Sequence, residues 1–190
     1  RLKVPGDLDW YPVDLGTNAF GQGVAVSPIQ MLKAASAIAN NGRMVTPHVL
    51  YGMVSEGRQV NIQMEPAGTP IRAETAHTLS DMLAISLENE ASMALVPGYR
   101  IAGKTGTAEI PSPVGYVSGA TIVTFIGFLP ADAPQVSILV KLDRPKTNNF
   151  ASQTAAPVFK RLAEKLVTYL EIPTDADRIL LAQQGGRVGG

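Results

Sequence analysis

At 190 residues and 45% hydrophobic content, the chain is long enough to bury a proper core as one domain, or one domain with a subdomain. Sixteen basic residues cancel sixteen acidic ones, which removes the electrostatic footprint of a nucleic-acid or anionic-membrane binder. With no cysteine there are no disulfides, thiolate metal sites or cysteine nucleophiles.

The chain opens Arg1-Leu2-Lys3-Val4-Pro5, with no initiator methionine and no signal-like segment, and is expected to be a fragment or processed product. No apolar run reaches the roughly 18 residues that would span a membrane. Residues 1–26 are punctuated by Pro5, Gly6, Pro12, Gly16, Gly21 and Gly23 and are expected to be irregular. Ser27-Pro28 then supplies a hydroxyl cap and a proline at the first helical position. Ile29, Leu32, Ala35, Ser36 and Ala39 keep helical spacing, and Asn40-Asn41-Gly42 offers a left-handed stop, so a helix is predicted over 28–40. Val45, Val49–Val54 and Val60–Met64 read as short surface strands. A second helix is predicted over 73–88, its apolar stripe Ala76, Leu79, Leu83 and Leu87 widened by Met82 and Ile85.

Three strands follow, at about 100–110, 120–129 and 136–142. The second is apolar on both faces, with Ile122, Ile126 and Phe128 on one and Val123, Phe125 and Leu129 on the other. Such a strand is sandwiched, so helices should cover both sides of its sheet. The short Gly/Pro links at 111–119 and 130–134 favour antiparallel neighbours. A last helix over 153–170 carries Val158, Leu162, Leu166 and Tyr169 on one stripe, with Pro157 near its first turn. The closing "QQGGRVGG" reads as disordered. The expected fold is α+β, an antiparallel three-strand meander flanked by helices. It divides into a helical lobe with short surface strands (1–99), the sheet and closing helix (100–172), and a partly disordered tail (173–190).

The stretch "PGYRIAGKTGTAE" (97–109) fits two chemistries. From Gly98 it satisfies the phosphate-cradling pattern GxxxxGK[ST] of a P-loop nucleotide hydrolase. From Lys104 it satisfies the Lys-Thr-Gly signature of penicillin-recognising serine enzymes. A P-loop needs a strand before the first glycine and a helix after the lysine. Here Pro97 precedes Gly98, and a β-branched, glycine-interrupted segment ending in Pro111-Ser112-Pro113 follows. The strand alternative is chemically coherent. An extended ligand can add itself to an open sheet edge, Gly106 lets its backbone approach, and Lys104, Thr105 and Thr107 offer a charge and hydroxyl donors to a carboxylate. The Thr107 amide can point at a developing oxyanion.

"GYRIAGKTGTAE", the earlier "AFGQGVAVSPIQMLKAASAIANNG" and the later "TIVTFIGFLPADAPQVSILVKLDRP" and "AAPVFKRL" occur in one order. Together they resemble the C-terminal half of the transpeptidase domain of class B penicillin-binding proteins, the bacterial cell-wall D,D-transpeptidases. The resemblance covers nearly all of residues 15–170. It implies an SxxK serine that attacks the D-Ala-D-Ala carbonyl of a peptidoglycan stem peptide, an SxN motif that assists proton transfer, and stable acylation by β-lactams. It further implies that Lys104, Thr105, Gly106 and Thr107 bind the terminal carboxylate and complete the oxyanion hole. Lys104 and Thr107 are the catalytic candidates, with no cofactor and no metal. The implied location is the extracytoplasmic face of the membrane, through an anchor outside this sequence.

None of the ten serines has a lysine three positions on, and neither Ser-x-Asn nor Tyr-x-Asn occurs. In the family both motifs precede the Lys-Thr-Gly strand, so the nucleophile is expected before Arg1. The chain alone is expected to be inactive. Ser27 and Ser152 are expected at helix starts, His48 and His77 are isolated, and Glu88, Glu90, Asp175 and Asp177 read as solvated carboxylates. The family sheet has five strands, two of them upstream, so the 136–142 strand is expected to present an open edge and drive self-association or await a partner. A catalytically inactive ligand-binding or sensor module on the same fold is the alternative that shares these residues.

Overall fold

The computed structural model describes residues 3–19, 21–90, 92–112, 115–146 and 148–185. In chain order the elements are α1 (Pro12–Ala19), α2 (Pro28–Ala39), β1 (Gly52–Ser55), β2 (Arg58–Asn61), α3 (Ala73–Glu90), β3 (Ala102–Ser112), β4 (Gly115–Leu129), β5 (Val136–Asp143), α4 (Ala155–Tyr169) and α5 (Asp175–Gly185). The arrangement is α+β, as its pattern of helices, meander and helix predicts.

α2 begins as its sequence dictates. The Gln30 amide donates to Ser27 Oγ at 3.3 Å while the Ser27 amide donates to Gln30 Oε1 at 2.8 Å, a reciprocal capping box. The helix ends where Asn41 (φ 53°) and Gly42 (φ 82°) turn left-handed, and the Gly42 amide returns to the Ala37 carbonyl at 2.8 Å. α1 was not expected. Pro12 opens it and the Asp14 carboxylate accepts from the Tyr11 amide at 2.7 Å, a local cap that outweighs Gly16. Of the short surface strands, β1 and β2 pair as an isolated hairpin, while Val45 makes only a bridge to Pro66 and 49–51 stays outside the strands.

The main sheet has the order β3-β4-β5, antiparallel throughout. β3 and β4 run further than expected, to Ser112 and from Gly115, so the 111–119 link is mostly strand. A register shift between Glu109 and Pro111 absorbs the proline, which can donate no ladder hydrogen bond. The two faces of β4 separate as predicted. Val123, Phe125 and Leu129 enter a core with α4, where the Phe125 and Phe159 rings lie 4.6 Å apart at 53°. Phe128, with Ala102 of β3, packs against Ala84 and Leu83 of α3 and Ile38 of α2 on the other side. Helices therefore cover both faces.

Two stripe assignments are corrected. α4 buries Ala155, Ala156, Phe159, Ala163 and Val167, while Leu162 is 42% and Tyr169 83% exposed. The helix sits close on the sheet: a Cβ on Gly127 would stand only 3.0 Å from Phe159 Cζ. Alanines permit that approach, so Ala155, Ala156 and Ala163 face inward beside Phe159 and Val167, while of the expected stripe Val158 and Leu166 flank the core and Leu162 and Tyr169 face outward. In α3, Met82 and Ile85 are exposed rather than widening the stripe, whereas Ala76, Ser80, Ala84 and Leu87 are buried.

The chain after 172 is ordered through α5, contrary to the expected tail. Thr174 and Asp177 cap the helix reciprocally, with the Asp177 amide donating to Thr174 Oγ1 at 3.2 Å and the Thr174 hydroxyl donating to Asp177 Oδ2 at 2.6 Å. The Arg100 amide donates to Asp175 Oδ2 at 2.7 Å, and the Asp175 amide to the Gly98 carbonyl at 3.0 Å. Arg178 bridges Asp132 (2.6 Å) and Asp175 (2.8 Å). Gln183 and Gln184 are therefore helical; residues 186–190 lie outside the described ones.

Candidate active-site strand

Lys104-Thr105-Gly106-Thr107 lie within β3, an edge strand bonded to β4 on one side and to no strand of the described residues on the other. The polypeptide before it turns at Gly98 (φ 84°) and enters the sheet; after Lys104 it remains strand for eight more residues. A phosphate loop would have to run into a helix there, so the geometry discards the nucleotide alternative.

Register decides where each group points. Lys104 pairs with Ile126 and Gly106 with Thr124, on the face of α2 and α3; Thr105 pairs with Phe125 and Thr107 with Val123, on the α4 face. The cation and the hydroxyls thus leave opposite faces of one strand, a split that residue spacing alone did not express. They meet at the edge: Lys104 Nζ reaches Thr105 Oγ1 at 3.4 Å. Lys104 and Thr107 are exposed and Thr105 half-buried, and Lys104 makes no ion pair among the described residues.

The main chain alternates likewise. The Gly106 carbonyl faces β4, where the Thr124 hydroxyl donates to it at 3.5 Å. In an extended strand the N–H and C=O of one residue point the same way, and the next residue's point oppositely. The amides of Thr105 and Thr107 therefore face the open edge. Gly106 is required by its neighbour as much as by any ligand, because a Cβ there would stand 2.5 Å from Thr124 Oγ1. Thr124 carries no local signal of this role; only the β3–β4 register reveals it.

Upstream, Arg100 fastens the strand's entry to α3. It donates to Asp81 Oδ1 at 2.7 Å and Glu88 Oε1 at 3.4 Å, and the Asp81 hydrogen bond, with Glu88 adding to it, holds the guanidinium above its ordinary value against partial burial. Glu88 is thus an ion-pair partner. Asp175 is also no solvated carboxylate, since it is half-buried and accepts from both Arg100 and Arg178. Asp177 stays exposed as part of the α5 cap. His48 and His77 are both exposed; His48 Nδ1 lies 2.9 Å from the Leu50 carbonyl, a local turn contact.

Residues 3–164 match the family described as penicillin binding protein transpeptidase domain. The chain is 38% identical over 152 residues to stage V sporulation protein D of Bacillus subtilis, covering 77% of this chain and 24% of that protein. It is 32% identical over 190 residues to penicillin-binding protein PbpB of Mycobacterium tuberculosis, covering 92% of this chain and 28% of that one. The chain thus spans about a quarter of the length of these relatives. Penicillin binding protein 3 of Mycobacterium tuberculosis superposes in its apo form with a TM-score of 0.80 at 30% identity, covering 91% of this chain and 42% of that one. The same protein complexed with ampicillin superposes with a TM-score of 0.79, covering 41% of that chain. Strand, register and sequence agree, and this chain belongs to the penicillin-binding protein transpeptidase domain family.

Proposed function

We propose that this chain supplies the carboxylate-binding and oxyanion side of a peptidoglycan D,D-transpeptidase, whose acylating serine lies in sequence outside these 190 residues. The single observation that carries the proposal is the open β3 edge, where the Thr105 and Thr107 amides point outward beside the Lys104–Thr105 contact. A peptide ending in D-Ala-D-Ala would lie along this edge as an added strand. Its terminal carboxylate would take the Lys104 charge and the Thr105 and Thr107 hydroxyls. The Thr107 amide would then meet the oxygen of the penultimate carbonyl, where negative charge develops as a hydroxyl adds to the carbon. A preorganised donor at such a position is worth on the order of 100- to 1,000-fold in rate.

β-Lactams belong to the same proposal, since a fused-ring carboxylate next to a strained amide presents the same two groups. The site of action that goes with it is the extracytoplasmic face of a bacterial membrane. No helix among the described residues is long and apolar enough to cross one.

Two measurements test the proposal. Titration of an acyl-D-Ala-D-Ala peptide into the ¹⁵N-labelled chain is expected to shift the Thr107 amide resonance. Lys104→Ala, which removes an exposed side chain and leaves the core intact, is expected to weaken binding about tenfold by deleting a charge-assisted contact. Unchanged affinity in the variant would remove Lys104 from the site. On a gel, fluorescent penicillin is expected to leave no covalent band on this chain, and a band would show that a serine within it acylates.

A further inference from the structure

We propose that Thr124, on the neighbouring strand, is a positioning residue for the oxyanion donor at Thr107. On the reading of β3 as the ligand strand, on which this inference rests, the outward amide must be held in line from behind. The Thr107 N–H and the Gly106 C=O belong to one planar peptide unit and point in opposite directions, so whatever fixes the carbonyl also fixes the amide. That carbonyl faces β4, where Gly106 pairs with Thr124. A carbonyl facing its direct partner takes that partner's amide in an antiparallel ladder. Thr124 therefore meets this oxygen with its main chain and, at 3.5 Å, with its hydroxyl.

Glycine makes this peptide unit the softest link of the strand. Rotation about the Gly106 Cα–C bond turns the whole plane, and a residue without a Cβ resists that rotation least. A stiffer residue cannot stand there, because its Cβ would lie 2.5 Å from Thr124 Oγ1. The same crowding compensates for the softness: Thr124 Oγ1 fills the space that the Cβ leaves and donates to the carbonyl of the plane that would turn. Thr124 is half-buried and β-branched, which restricts χ1 and keeps the hydroxyl in place. A donor on the carbonyl also polarises the peptide unit and strengthens the Thr107 N–H as a donor. Because β3 lies between β4 and the open edge, the effect reaches the ligand through Gly106. The hydroxyl bond is long, so the expected contribution to affinity is about two- to fivefold.

The test titrates acetyl-D-Ala-D-Ala into the ¹⁵N,¹³C-labelled chain and into Thr124→Ser, Thr124→Val and Thr124→Ala, with denaturant unfolding run on each. Thr124→Ser keeps the hydroxyl and is expected to bind as the native chain does. Thr124→Val keeps the bulk and the strand propensity but loses the donor. It is expected to unfold at the native midpoint, to move the Gly106 carbonyl ¹³C resonance upfield, and to bind about two- to fivefold more weakly. Thr124→Ala also empties the space and should bind no better than Thr124→Val. Native affinity in Thr124→Val overturns the inference, as does a loss in Thr124→Ser equal to that in Thr124→Val. Affinities that follow the unfolding midpoints across the variants overturn it too, since a merely structural role gives that ranking. Lys104→Ala is run in parallel: if it weakens binding while every Thr124 variant matches the native chain, the carboxylate site stands and only the positioning role falls. If the native chain binds no peptide, or Lys104→Ala binds as the native chain does, the ligand strand itself is wrong and the inference falls with it.

Discussion

Gly106 and Thr124 face each other across β3 and β4, and the missing Cβ of one is filled by the hydroxyl of the other. Gly106→Ala is therefore expected to destabilise the chain by about 1–3 kcal/mol, the usual cost of overpacking, and to push β3 off its present line. Thr124→Ala removes the obstructing oxygen. In the double variant most of that loss should be recovered, a positive coupling readable by denaturant unfolding of the four proteins in a mutant cycle. Additive losses would mean that Gly106 is needed for backbone freedom or ligand approach and not for this contact. The signature around Lys104 was legible as sequence because the residue types are chemical. The partnership of Gly106 with a threonine 18 positions on was not, since nothing but register brings them together.

α5 shows how an element can hang on a few polar contacts. Its anchor is Arg178, which reaches Asp132 on the β4–β5 turn and Asp175 in its own first turn. The hydrogen bond from Arg178, helped by backbone amides and opposed by partial burial, holds the Asp132 carboxyl below its ordinary value of 3.8. A carboxylate with a depressed folded pKa contributes stability that is present above its unfolded value and lost as pH falls through the folded one. Amide exchange in α5 should accordingly quicken, relative to the core of the sheet, as pH drops below about 4. Asp132→Asn should blunt that dependence; exchange that stays pH-independent in the native chain, after correction for intrinsic rates, would show that the bridge does not hold the helix. The exposed setting of Asp132 keeps the effect small. A Thr-x-x-Asp cap at 174–177 marked this helix in the sequence, and its short length with the Gly-rich segment beyond it masked the signal. In α4 the opposite happened: the long pattern was plain, but the expected stripe was off the centre of the buried face, where Phe159 packs against Gly127 between alanines while Val158 and Leu166 only flank the core.

Taken whole, the molecule is a three-strand sheet with helices on both faces and two edges without a strand neighbour among the described residues. One edge, β3, is the proposed ligand strand. The other, β5, presents unpaired backbone groups of the sort that pair with another chain. Self-association through β5 is expected to rise with concentration in light scattering, and Leu139→Pro or Lys141→Pro at an outward-facing amide should suppress it. A clean monomer at high concentration would show that the edge is covered. The β3 edge is a second route to dimers, distinguished by competition with an excess of D-Ala-D-Ala peptide.

Sequence by itself determined the α+β order of elements, the two-faced β4, the capped α2 and the identity of the Lys-Thr-Gly strand. Each of these is written in local chemistry: apolar period, cap residues, or a motif few positions long. It also showed that no Ser-x-x-Lys occurs in these 190 residues. Only the tertiary structure decided that Lys104 and the two threonines leave opposite faces and converge at an edge, that Thr124 fills the space at Gly106, and that α4 buries its alanines. Those outcomes depend on which strand lies opposite which and how closely a helix approaches, and pairing between distant residues has no local signature.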